Sequence, residues 1–486
     1  MFLGLGLKAH RCPTVMFNFL KGQEVKMRIA GIDLAVKAQH QVVVADEQGH
    51  FLSGPLRFRT GQQELEGIYT TVCRGMAAEE ELVVVMEATD IVWYPVAVYF
   101  YRRGATIYLI NPRMSSDLSR FYRRHAKSDR LSAQVLARLP LVNPDRLYAW
   151  TPPGAARLAL QRACKELERL TARIQAIQRR LYAMDHLGWP DLHRRVFRRP
   201  FGPAARWFRD HFYDPRQVVQ AGLSGLRQAW RQAAAWNGDE TWLEPLLSLA
   251  QEVVALYGED YLDYQALAAE VQREQRRLAA LEAEARFVRL KVTRPRYRQL
   301  HPRRHLETIK GVGQDGAAVY VAFVGDVHRF ASRRAFRGWS GLIPYSAQSG
   351  EREGKGLHIT QAGPNLLKKY AYLEAESARQ WDPQIAAIYY DQMVHKGKHH
   401  KQAVCACATH LLDRIRVILT ENRPYELRDV EGNPVTPQQA RAIIAERYTV
   451  PEEVRRRNTR YARRERAERR AERKKERRNR SSQTRG

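Results

Sequence analysis

Three carboxylates stand where a folded chain has to account for them. Asp33 ends the apolar run RIAGID, and Glu87 ends LVVVME. Asp129 stands among Arg123, Arg124, His125, Lys127 and Arg130 in RRHAKSDRLSAQVLARL. An acid closing a buried run is costly without a partner. Two such acids on neighbouring strands repel unless a proton or a cation lies between them. Mg2+ meets that need, because it takes hard oxygen ligands and leaves room for phosphate oxygens. Asp129, opening an amphipathic helical pattern, could supply a third oxygen. Singly, each acid has a plainer reading. Asp33 reads as a strand-end or turn acid, and Asp129 as a helix-start acid favoured by the dipole or a surface ion-pair partner.

The elements around these acids carry more information than the acids alone. MRIAGIDLAV, HQVVVADEQG and FLSGPLRFRT alternate like strands, with DEQG as a hairpin turn. QQELEGIYTTVCRG reads as a helix, ELVVVME as a buried strand, and ATIYLINP as another strand. The order is strand–Asp, hairpin, strand–Glu, helix, strand, helix–Asp. That is an α/β domain with a mixed sheet, in the layout of ribonuclease-H/RuvC-like nucleases, where two metals brace an in-line attack on a phosphodiester.

The rest of the chain is built differently. Residues 151–300 hold two long charged amphipathic helices, in LALQRACKELERLTARIQAIQRRLYAM and LAAEVQREQRRLAALEAEARFVRLKV. They read as a coiled-coil arm or equally as a plain helical bundle. The aromatic-rich stretch between them, about 190–260, reads as helical without a clear place. Residues 301–425 form a further, mainly helical unit; order is expected to decline past Pro424, the basic tail 426–486 reading as a disordered arm that orders on nucleic acid or as a solvated helix, either binding phosphates without sequence choice. Residues 1–27 read as an extension ahead of the patterned domain 28–150, with Met16 or Met27 as alternative starts and no signal peptide.

Charge narrows the partners. The 486 residues carry a net charge of +29, with Arg outnumbering Lys. Such a field attracts polyanions, and Arg forks onto phosphate oxygens, so nucleic acid comes before acidic membrane. No apolar run reaches bilayer-spanning length. Five scattered cysteines point to a reducing compartment. Cys405 and Cys407, two apart on one helical pattern, read as core residues rather than a metal pair.

Five segments in order resemble one family. GIDLAVKAQHQVVVADEQG, VVMEATDIVWYPV, YLINPRMSSDLSRFYRRHAKSDRLSAQVLARL, IKGVGQDGAAVYVAFVGD and GWSGLIPYSAQSG with GKGLHITQAGPNLLKKYAYLEA are similar to the DEDD transposases of insertion-sequence family 110, related to the pilin-gene invertase. The resemblance covers most of 28–155 and 300–425. It implies a RuvC-like domain, a coiled coil and a C-terminal transposase domain with a catalytic serine. It also implies Mg2+ (with Mn2+ as a substitute), target and donor DNA, a structured noncoding guide RNA, and a dimer or tetramer in the bacterial cytoplasm at the nucleoid. By position Asp33, Glu87 and Asp129 fall on the first three acids of the DEDD set, and Ser349 on the nucleophile. The family's fourth acid, three residues after the third, is here Ser132. Asp90 offers itself as a substitute.

A serine suits strand exchange, because attack on DNA phosphorus stores the phosphodiester as a phosphoserine and frees a 3′-hydroxyl. The hydroxyl needs a base or metal to activate it. Ser-Gly pairs also make ordinary turns. Ser346, Tyr345 and a helping His358 stand behind Ser349 as candidates. Gly311 and Gly313 in GVG would expose amides to phosphate in a helix-hairpin-helix-like turn, or simply join two helices. Lys355, Lys368 and Lys369, with Arg123, Arg124 and Lys127, complete the expected phosphate contacts. The reading is an RNA-guided, Mg2+-dependent DNA recombinase. A RuvC-like nuclease that does not rejoin, and a non-enzymatic nucleic-acid binder, are the alternatives.

Overall fold

The computed structural model describes residues 26–88, 91–110, 129–142, 147, 149–233, 238–258, 261–343, 348–349, 352–353, 359–360, 363–461, 463–464 and 467. For 129–131, 348, 349, 352 and 353 it describes the backbone alone. The chain divides into two compact units, Met1–Pro153 and Gly154–Gly486.

The first unit is a six-stranded mixed sheet. Its strands are β1 (Met27–Asp33), β2 (His40–Ala45), β3 (Leu56–Phe58), β4 (Glu81–Glu87), β5 (Thr106–Ile110) and β6 (Ala149–Trp150), in the order β3-β2-β1-β4-β5-β6. β1 pairs antiparallel with β2 and parallel with β4, and β4 pairs parallel with β5. The centre is apolar on both faces, as parallel strands under two helix layers must be. One face packs Ala30, Ile32, Val84 and Met86 under α1 (Gln62–Val72) and α2 (Trp93–Tyr101). The other packs Ile29, Val83 and Val85 against Leu136, Ala137 and Leu139 of α3 (Asp129–Val142). The DEQG hairpin forms as its composition predicts: Asp46 Oδ1 accepts from the amides of Gln48 and His50, and Gly49 takes φ +86°.

In the second unit, α4 (Ala155–Gly188) and α9 (Tyr264–Phe287) run antiparallel. Leu167 and Leu170 meet Ala285 and Val288 at one end, while Leu181 and Met184 share a core with Leu267 and Val271 at the other. Between them in sequence come α5 (Leu192–Arg195), α6 (Pro203–His211), α7 (Pro215–Ala233) and α8 (Leu243–Tyr257). These cap the distal end of the pair, which gives the aromatic stretch its place: Trp189, Phe197, Trp207, Phe208, Trp230 and Trp242 pack there. Asp185, fully buried, accepts from Arg209 and pairs with His193 in the same cluster.

The proximal end of the pair is built into the core of the C-terminal helices. Leu160 and Cys164 of α4 and Tyr297 of α10 (Arg294–Leu300) share one cluster with α11 (Gln314–Val324), α13 (Asn365–Ala378), α14 (Pro383–Tyr390) and α15 (His400–Glu421), α12 being the short helix Arg333–Ser340. The helical arm from Gly154 to residue 300 and residues 301–425, read apart in the sequence, therefore belong to one unit. Cys407 is buried and its thiol is pushed up to about 12 by burial, as a core cysteine should be. Order also continues past Pro424, against expectation. Thr436 and Gln439 form a capping box on α16 (Pro437–Arg447), and a helix follows over 452–461. No helix among the described residues is long and apolar enough to cross a membrane.

Candidate active site

Strand register brings two of the predicted acids together. Met27 through Ile32 lie opposite Glu81 through Met86, so the next rung sets Asp33 beside Glu87. Parallel neighbours in one rung point to the same face, on strands about 4.8 Å apart. That face is the one α3 covers, since Ile29, Val83 and Val85 alternate onto it with Asp33 and Glu87. Both acids are half-buried at the carboxyl ends of their strands.

The direction of α3 follows from its contacts. A Cβ on Gly31 would lie 2.3 Å from Ala133 O and 2.3 Å from Ala137 N, so the helix rests directly on β1 there. Farther along, Leu141 meets Gly49 in the β2–β3 turn, beyond Ala45 and therefore at the Ile29 end of β1. The helix runs antiparallel to β1. Its first residue, Asp129, lies one turn before Ala133 and so at the strand ends that carry Asp33 and Glu87. Glycine at 31 lets the helix come this close.

The two carboxylates in one rung are hard-oxygen donors of the type Mg2+ takes, and the facing helix starts at a third acid, Asp129. Among the described side chains, no three His, Cys, Asp or Glu form a metal-holding group. The side chain of Asp129, the third expected ligand, lies outside them, as does Asp90. Ser132 is half-buried and one turn before Leu136, so it too is on the sheet-facing side of α3.

One supporting residue escaped the sequence reading. His40 is 4% exposed and begins β2 beside the end of β1. Its Nδ1 accepts from the Ala35 amide at 3.2 Å, which assigns the proton to Nε2 and makes that nitrogen the donor to Thr60 Oγ1 at 2.8 Å. Burial, then the Arg59 charge, lowers its pKa and keeps the ring neutral. His40 thus holds the chain where it leaves Asp33. The available signal was a histidine at the start of an apolar strand run, which sequence alone does not separate from a surface one.

In the second unit, Ser349 closes the two-residue strand β7 (Gln348–Ser349), which pairs antiparallel with β8 (Arg352–Glu353). Ser349 is opposite Arg352 in this ribbon. The base of the loop is held on both sides. The Thr360 amide donates to Ile343 O, Thr360 Oγ1 to Gly341 O, and Thr409 Oγ1 to Leu342 O. Ser346, Tyr345, Lys355 and His358 lie outside the described residues, as do Arg123, Arg124 and Lys127.

The GVG turn is used internally. The Gly313 amide donates to Glu374 Oε1 at 3.0 Å, and Tyr320 OH donates to Oε2 at 2.6 Å. Gly311, at φ +101°, sits against the backbone of Ala378. Burial pushes the Glu374 carboxyl up to about 8, against the opposing pull of its two donors. The Gly313 amide expected to meet phosphate is therefore occupied by a carboxyl group of α13. Lys369 Nζ donates to Glu168 at 2.6 Å, and Lys368 is 9% exposed with its pKa lowered by burial.

Residues 30–185 match a transposase family model of the IS110 DEDD type, and residues 303–390 match the model of the transposase IS116/IS110/IS902 family. An insertion element IS110 uncharacterized 43.6 kDa protein of Streptomyces coelicolor is 26% identical over 246 residues, 50% of this chain and 58% of the relative. An insertion element IS900 uncharacterized 42 kDa protein of Mycobacterium paratuberculosis is 33% identical over 110 residues, 23% of this chain and 27% of its own. The pilin gene-inverting protein of Moraxella lacunata is 27% identical over 123 residues, 25% of this chain and 38% of its own. The chain thus spans between 27% and 58% of the length of these curated relatives. Asp33, Glu87 and Asp129 fall inside the first matched region and Ser349 inside the second. The chain belongs to the IS110 family of transposases.

Proposed function

We propose that the chain is the DNA recombinase of an insertion element, cutting and exchanging strands through a phosphoserine at Ser349, with Mg2+ at Asp33, Glu87 and Asp129. The observation that carries this is the shared rung of Asp33 and Glu87, faced by the start of α3. In the reaction, Ser349 Oγ attacks a DNA phosphorus and the P–O3′ bond breaks. The serine proton is lost to solvent and the departing 3′-oxygen takes one up. The phosphodiester is kept as a phosphoserine ester, and a 3′-hydroxyl of another strand reverses the step without ATP. Mg2+ when bound would neutralise phosphate charge and favour the ionised hydroxyl. The name of the Moraxella relative, a pilin gene-inverting protein, supports rejoining rather than cutting alone. A structured guide RNA, paired with target and donor DNA, would choose the sites, and the net charge of +29 suits two nucleic-acid partners. The working form is a homo-oligomer.

The test is a denaturing gel of the full chain incubated with Mg2+, guide RNA and labelled DNA carrying the element ends. A covalent protein–DNA adduct is expected, and Ser349→Ala is expected to abolish it. An adduct that survives Ser349→Ala would sink the serine assignment. Cleavage with free 5′-phosphates and no adduct would leave a nuclease.

A further inference from the structure

The terminal helix over 452–461 lies beyond both regions that match the family models. It is docked rather than loose. Asn458 is 4% exposed, and its Nδ2 donates to Met393 O at 2.8 Å and Lys398 O at 3.0 Å. Val450 belongs to the main core of this unit, and Val454 packs against it. A buried amide satisfied by two carbonyls is a specific anchor, because leaving either partner unpaired costs about 1–3 kcal/mol.

The anchor sets the helix's rotation. At 100° per residue, Arg456, Arg460 and Arg463 fall within about 40° of the face opposite Asn458. All three are exposed. With Glu452, Arg455 and Thr459 they form one open surface patch of the helix. Arg456 pairs with Glu452 at 3.3 Å, but both side chains are largely exposed, and such pairs exchange readily for phosphate. Arg460 and Arg463 have no ion-pair partner among the described residues. From Arg456 to Arg463 the stripe runs about 10 Å, enough to follow consecutive phosphates of one strand.

We propose that this docked helix is a duplex-DNA clamp, presenting Arg456, Arg460 and Arg463 as a preset row of phosphate contacts. The inference rests on the reading that the chain acts on DNA. The partner is duplex DNA rather than duplex RNA because a straight helix fits the wide major groove of B-form DNA, whereas the A-form major groove is too narrow for it. The clamp supplies grip without sequence choice, since phosphate contacts position and do not read bases.

The test compares the full chain with its Arg456→Gln, Arg460→Gln, Arg463→Gln triple variant on a short DNA duplex of arbitrary sequence, followed by anisotropy in rising salt. The slope of log affinity against log salt is expected to fall by about 2–3, with affinity at least about tenfold weaker near 0.1 M salt. An unchanged slope would overturn the clamp. Asn458→Ala keeps every charge but frees the helix, and is expected to weaken binding severalfold; wild-type affinity would overturn the role of docking. An RNA duplex of the same sequence is expected to lose less than the DNA, and a larger loss with RNA would overturn the choice of partner. The recombinase reading rests on Asp33, Glu87, Asp129 and Ser349 and on none of these residues, so failure of the clamp leaves it standing.

Discussion

The two units each set acids against an apolar core, and they use them in opposite ways. In the first, register sets Asp33 and Glu87 side by side at the strand ends, with the start of α3 facing them. In the second, Glu374 lies inside the core, and its carboxyl group is taken up by Tyr320 and the Gly313 amide. A side chain at Gly316 would meet that carboxyl at 1.8 Å, so the chain leaves room for it and for nothing else. Side-by-side acids at an accessible edge cost stability and suit a cation; an enclosed, satisfied acid suits a fixed turn. The contrast separates a candidate chemical site from a structural one by arrangement, not by residue type.

The sharpest way to break the comparison is to remove each kind of acid. Asp33→Ala and Glu87→Ala are each expected to lower Ser349 adduct formation by on the order of a thousandfold, because metal-borne charge stabilisation is worth several kcal/mol. Thermal unfolding of the same variants separates a loss of chemistry from a loss of fold. An adduct yield that stays within about twofold of wild type, read on a denaturing gel, would remove the carboxylates from the chemistry.

Gly31→Ala comes next. The new methyl would meet backbone atoms of α3, which cannot swing aside as a side chain can. Overpacking of this kind costs about 1–3 kcal/mol, read as a lower denaturant midpoint. It should also carry Asp129 away from Asp33, so adduct yield should fall further than stability alone explains. Normal yield at reduced stability would mean that the α3 start plays no part in the site.

These contacts show why the first unit was legible and much of the second was not. A two-residue period and a DEQG turn specify strands, faces and a hairpin locally, and the rung of Asp33 and Glu87 follows once β1 and β4 pair. The partner of the Gly313 amide is 61 residues away, and that of Lys369 is 201 residues away in α4. No local pattern announces either. The order of the tail was hidden for the same reason. Asn458 sits in a run of arginines that reads as solvated, and its acceptors lie 65 and 60 residues upstream. His40 was missed because its role lies in the Ala35 amide and Thr60, not in its neighbours in sequence.

The enclosed acid makes its own prediction through pH. Folding raises the Glu374 pKa from 4.5 to about 8. The folded state then holds a proton that the unfolded state gives up, so this group's stabilising contribution is complete below pH 4.5 and declines as pH rises toward 8. The slope is at most about 1.4 kcal/mol per pH unit. Glu374→Gln stays neutral, with its carbonyl accepting from Gly313 and its amide donating to Tyr320, and should flatten this part of the profile. Glu374→Ala should destabilise at every pH by about 1–3 kcal/mol, because both donors lose their acceptor. Denaturant unfolding at pH 5, 6.5 and 8 reads all three; a glutamine variant that keeps the wild-type slope would reassign the titration to another group.

Ser132→Asp carries the smallest expected effect and tests the first unit most directly, because its sign depends on the cation. Position 132 is on the sheet-facing side of α3, half-buried, one turn before Leu136. If Mg2+ binds at Asp33, Glu87 and Asp129, a fourth carboxylate adds a charged oxygen where a neutral hydroxyl stood, and Mg2+ affinity should rise by about tenfold, or about 1.4 kcal/mol. The melting temperature should then rise with added Mg2+ more steeply than in wild type, since a ligand that binds only the folded state stabilises it. In chelator the same substitution adds a like charge beside two others and should lower the melting temperature. A variant that is destabilised equally with and without Mg2+ would mean that the rung holds no cation, and the paired acids of the first unit would then be as structural as Glu374.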